Sequence, residues 1–86
     1  MNSPLVITFP NTHQALKAED FFKLLKLEFE LIPTPREISA ECGFALLVYN
    51  QDSSTIIRFC SEKNITLSNI FICNENKGVK NYEKSY

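Results

Sequence analysis

The amino-acid sequence predicts an α+β domain of ferredoxin-like type, βαββαβ: a four-stranded antiparallel sheet of order 4-1-3-2 with two helices on one face. Three observations predict it. Apolar residues switch between strand-like and helix-like spacing in the order βαββαβ. The second strand-like stretch carries charge on one face, which suits a sheet edge. Right-handed crossovers between two βαβ-type halves of one sheet independently place that strand at an edge.

The elements follow in order. Leu5, Ile7 and Phe9 alternate with Val6 and Thr8, a strand pattern. Asn11 stands three residues before Gln14, the spacing of an N-terminal capping box. Ala15, Ala18, Phe22 and Leu25 then fall on one helical stripe, with Lys17, Glu19, Lys23 and Lys26 elsewhere on the surface. The stretch "EFELIP" alternates Glu28, Phe29, Glu30 and Leu31 and is read as the edge strand. "GFALLVY" is apolar on both faces, with Phe44, Leu46 and Val48 opposite Ala45, Leu47 and Tyr49, as in a central strand. "QDSSTIIRFCSEKN" opens with cap-type residues and sets Ile56, Cys60 and Lys63 on one line, widened by Ile57 and Phe59. "ITLSNIFIC", rich in β-branched and aromatic residues, closes the domain. Residues 4–73 therefore read as one domain, and the polar, aperiodic residues 74–86 as a flexible tail. Two helices cover one face of such a sheet, so the second apolar face is expected to be covered by a homodimer or a docked partner.

Composition narrows the function. The chain has 86 residues, 44% hydrophobic and 22% charged, with a net charge of −1. Lys and Arg do not cluster, which argues against a nucleic-acid partner. No apolar run reaches the roughly 20 residues of a membrane span, and "MNSPLVITFP" reads as a first strand and not as a signal peptide. The three cysteines, Cys42, Cys60 and Cys73, are scattered, form no C-x-x-C pair and are accompanied by a single histidine, so no metal site is expected. Free thiols in a reducing, cytoplasmic setting fit this count.

The joint between the second and third strands is unusually long for a hairpin, whose loops commonly span two to five residues. It runs from Thr34 to Gly43 and ends in Cys42 and Gly43. Thr34-Pro35-Arg36-Glu37 fits a capping box with proline at the first helical position, so a short helical turn is expected, ended by a left-handed Gly43. Cys42 would then sit at the turn's C-terminal end, where the dipole disfavours a thiolate. Activation must come from Arg36, from His13, or from the amides that begin the first helix, all placed by the topology at the same end of the sheet. Cys60, on the apolar stripe of the second helix, reads as core, and Cys73 as a strand-end residue at the opposite end of the sheet.

Two stretches, "ITFPNTHQALKAE" and "LIPTPREISAECGFAL", resemble a family of small selenium/sulfur carrier-like proteins. The longer match is P-T-P-R-x-I-S-x-x-C-G, and T-H-x-A-L-K-A-E is a second, separate one. The resemblance implies a cysteine carrier or sulfurtransferase-like accessory, not a stand-alone enzyme, that accepts selenium or sulfur as a selenopersulfide or persulfide. It implies Cys42 as the carrier thiol, with Thr34, Pro35, Arg36, Ser39 and Gly43 around it and Thr12 and His13 from the first loop. It implies no cofactor beyond the transient cysteine-bound selenium or sulfur. Its partners would be a donor of selenocysteine lyase or cysteine desulfurase type and an acceptor such as selenophosphate synthetase or a sulfur-accepting enzyme, with neither nucleic acid nor membrane. The rival reading is a binding module, whose 34–43 loop captures a small anion or a partner protein without bonding a chalcogen. Thiol–disulfide redox is disfavoured because the topology separates the cysteines.

Overall fold

The computed structural model describes residues 3–38 and 42–86. Its elements run β1 (Leu5–Thr8), α1 (Thr12–Leu24), β2 (Phe29–Pro33), β3 (Phe44–Val48), α2 (Ser53–Glu62), β4 (Asn69–Asn76) and β5 (Val79–Lys84). The strands form one antiparallel sheet of order β2-β3-β1-β4-β5. The architecture is α+β with two helices, but the sheet has five strands and not the four expected.

The fifth strand corrects the reading of residues 74–86 as a flexible tail. β4 runs on to Asn76, and the chain reverses at Lys77 and Gly78, both with positive φ (53° and 81°). Two left-handed central residues define a turn whose twist matches that of a hairpin. Glycine meets that demand freely. β5 then pairs from Val79↔Asn76 to Lys84↔Phe71. Beyond it, Ser85 and Tyr86 donate backbone N–H groups to the Ile70 carbonyl (2.7 and 3.1 Å), and the Ile70 N–H donates to the Tyr86 carbonyl (3.1 Å).

Both helices begin as the sequence indicates. The Asn11 side chain accepts the Gln14 N–H (3.0 Å) and the Asp52 side chain accepts the Thr55 N–H (2.8 Å). The Gln14 side chain does not complete a reciprocal box. It accepts the Thr66 N–H instead (2.8 Å), tying α1 to the connection after α2. Ala15, Ala18 and Phe22 of α1 and Ile56 and Cys60 of α2 are buried in one cluster with Leu5, Ile7, Leu46, Val48 and Ile70. These strand residues share one face by the pairing register, so both helices lie on that face. Phe22 meets Phe29 edge-on, with ring centroids 5.9 Å apart.

The opposite face has its own small core of Val6, Ala45 and Ile38, with Ile32, Leu47, Phe71, Cys73 and Tyr82 against it. Ile38 comes from the loop between β2 and β3 and is 5% exposed. The loop itself thus covers part of the face the helices leave open. Leu47 and Phe71 are half-buried there, and the large apolar residues exposed among the described ones, including Leu16, Leu31 and Phe44, lie elsewhere.

A chain ending at Asn76 is expected to lose stability, seen as a lower urea midpoint, and to speed exchange of the Ile70 amide by about tenfold or more, since that amide then loses its β5-side partner. An unchanged midpoint and exchange rate would restore the tail reading.

Candidate functional site

Thr34 closes the base of the β2–β3 loop. Its N–H donates to the Gly43 carbonyl and its Oγ1 to the Cys42 carbonyl, both at 2.9 Å. A side-chain hydroxyl and the backbone beside it therefore hold the main chain of Cys42 in place. Pro35 to Ile38 form a turn in which the Ile38 N–H donates to the Pro35 carbonyl (3.0 Å). Of the expected helical turn, residues 36 and 37 form a turn closed by that bond, and residues 39–41 lie outside the described residues. Gly43 is not left-handed, since Gly78 is the glycine with positive φ, and a Cβ at Gly43 would meet nothing within 4 Å. The loop is anchored by Thr34 at its base and by apolar burial of Ile38.

Cys42 returns to the helix side of the sheet. It is 5% exposed and packs in the helix-side cluster. Its Sγ lies 3.8 Å from Thr12 Oγ1, and either atom can donate. Thr12 is the first residue of α1, a helix of 13 residues, so the sulfur sits beside a helix N-terminus where the backbone dipoles favour negative charge. The topology thus brings Thr12, Thr34, Cys42 and Gly43 together, with the Cys42 side chain buried.

His13 follows Thr12 and is exposed, and Arg36 is exposed on the 35–38 turn. Among the described residues no hydrogen bond or ion pair joins His13 or Arg36 to Cys42. Pro35 is half-buried and takes part through its carbonyl. Ser39 lies outside the described residues. Ile38 is the contributor that sequence reasoning missed. Its signal is a single β-branched apolar residue inside an otherwise polar loop.

The three thiols are free and occupy different surroundings. Cys60 is 1% exposed, and burial pushes its thiol up from 9.0 to about 11. Cys73 is half-buried on the face away from the helices, opposite Tyr82 across the β4–β5 pair, and borders an open pocket with Tyr49 and Lys80. No helix among the described residues is long and apolar enough to cross a membrane.

Residues 5–72 match the model of a family described as "putative Se/S carrier protein-like". The chain belongs to this family. No curated protein and no solved structure matches the chain. The part matched to the Se/S carrier-like family contains the whole loop with Cys42, and also Cys60, but stops short of Cys73.

Ile38→Ala is expected to cost about 2–5 kcal/mol in urea unfolding, the range for truncating a buried isoleucine. A cost near zero would mean that Ile38 does not seal this face. Cys60 contributes to the loss of stability in alkali. Between pH 9.0 and about 11 the folded chain keeps a proton that the unfolded chain has lost, so stability falls as pH rises through that window. Urea midpoints measured across it should decline in the native chain and decline less in Cys60→Ala.

Proposed function

We propose that this Se/S carrier-like chain accepts selenium or sulfur on Cys42 and hands it to an acceptor enzyme. The observation that carries the reading is the Cys42 sulfur at the start of α1, 3.8 Å from the Thr12 hydroxyl, with its backbone held by Thr34. A selenopersulfide or persulfide is an anion near neutral pH. A helix N-terminus and a hydroxyl donor are suited to hold one.

The step balances without an external oxidant or reductant. The Cys42 thiol loses its proton and its sulfur attacks the outer chalcogen atom of a persulfide or selenopersulfide on the donor. A bond forms from Cys42 Sγ to that atom, the donor's own sulfur–chalcogen bond breaks, and the donor leaves as a thiolate. Delivery repeats the exchange, with an acceptor thiolate as the attacking group. A selenocysteine lyase or cysteine desulfurase is the donor type, and a selenophosphate synthetase or sulfur-accepting enzyme the acceptor. The cysteine-bound atom is cargo, and no resident cofactor takes part.

The burial of Cys42, 5% exposed, favours a second reading. In it the thiol is packing, and the 34–43 loop is a recognition element for a small anion or a partner protein. Carriage differs from this in requiring that the sulfur be uncovered during transfer.

Intact mass after incubation with a selenocysteine lyase and selenocysteine, or with a cysteine desulfurase and cysteine, separates the two. Carriage predicts a reductant-labile adduct of one chalcogen atom that disappears in Cys42→Ala. Cys60→Ala is expected to keep the adduct while losing about 1–2 kcal/mol of stability as a small core deletion. A thiol that stays bare with both donors selects the binding module. Among the candidates, Thr12→Val is expected to slow loading and alkylation of Cys42 most, because its hydroxyl meets the sulfur. If Arg36→Ala or His13→Ala slows alkylation more, that cation is the activating group.

A further inference from the structure

β2 forms one edge of the sheet, and its backbone shows which groups point outward. The Tyr49 N–H donates to the Glu28 carbonyl (3.0 Å) and the Thr34 N–H to the Gly43 carbonyl (2.9 Å). Backbone groups alternate in direction along a strand, so residues 28, 30, 32 and 34 face β3 while 29, 31 and 33 face away from the sheet. Phe29 and Leu31 thus offer outward N–H and C=O groups, and Pro33 offers a carbonyl alone. The receptive stretch is short and ends at the proline.

The two faces beside this edge differ. On the helix side Leu31 and Phe44 are 39% and 45% exposed, and Phe44 is the cross-strand neighbour of Pro33. Leu16, 46% exposed, lies one helical turn beyond Thr12, on the flank of α1 that meets Cys42. The other side is acidic: Glu28 and Glu30 are exposed, receiving hydrogen bonds from Asn50 and from the Tyr49 hydroxyl. Apolar groups on one face and carboxylates on the other specify a complementary strand.

We propose that the β2 edge receives an added strand from a partner protein, an extended segment alternating apolar residues with Lys or Arg. Its apolar side chains lie against Leu31, Phe44 and Leu16, its cationic ones meet Glu28 and Glu30, and its backbone pairs with Phe29 and Leu31. A second copy of β2 does not fit this description. Antiparallel self-pairing would set the glutamates of both copies on one face, where like charges repel. Strand addition uses no thiol, so it stands or falls separately from chalcogen loading. A segment seated here ends beside Phe44 and Leu16, next to the Thr12–Cys42 contact.

The test uses the full chain and the synthetic peptide acetyl-KVKVKV-amide, with amide exchange at Phe29 and Leu31 read by NMR. The alternating basic peptide is expected to slow exchange of both amides by about tenfold or more at saturation. Acetyl-EVEVEV-amide is expected to leave them unchanged, and acetyl-KKKVVV-amide, of equal composition but without alternation, to protect them less. The double substitution Glu28→Lys with Glu30→Lys should exchange the preferences of the basic and acidic peptides. No protection by the basic peptide, or equal protection by the acidic one, overturns the proposal. So does protection that appears without peptide as the protein concentration rises, which would assign the edge to a second copy.

Discussion

The sheet is apolar on both faces while its two helices cover only one, and the rest of the molecule answers that imbalance. Burying Val6 and Ala45 requires something on the far side, and the β2–β3 loop supplies Ile38. A tight hairpin turn would leave these residues wet, which accounts for a loop longer than the two strands need. The same loop brings Cys42 back to the helix side against Thr12. Its described ends are therefore anchored on opposite faces of the sheet. Cover for one face and placement of the thiol on the other are two results of one connection.

The three cysteines show how position alone separates similar groups. Cys60 lies deep among apolar side chains that stabilise only its neutral form, and its raised thiol follows. Cys73 faces the opposite side of the sheet, half-covered, within β4 and packed against the small apolar core of that face. Cys42 is as covered as a core residue but borders a hydroxyl and the start of a helix. Burial and polar contact are usually alternatives for a thiol, and here they coincide. The chemical character of the site lies in that combination more than in any single neighbour.

Much of the architecture was legible in the sequence because it is written in periodicity. The caps at Asn11 and Asp52, the stripes through Ala15, Ala18 and Phe22 and through Ile56 and Cys60, and the edge position of β2 all follow from local pattern. β5 was not legible, since an outer strand has little to bury and carries no apolar alternation. Its signal was the turn chemistry of Lys77-Gly78, two left-handed residues set in a polar run. In the candidate site, the approach of Thr12 to Cys42 followed from topology, because the end of β1 and the β2–β3 loop share one end of the sheet. The cover provided by Ile38 and the burial of Cys42 did not follow. Both depend on where a long loop lies across a surface, and no short-range pattern encodes that.

The two edges of the sheet are unequal. The β2 edge carries carboxylates alone, Glu28 and Glu30, and stops at Pro33, whereas β5 mixes Lys80 and Lys84 with Glu83, so the two edges suit different strands. A sheet receptive at both edges can grow without limit, whereas one receptive at a single edge has a valency of one. Any two proteins that paired with β2 would therefore exclude each other from that edge.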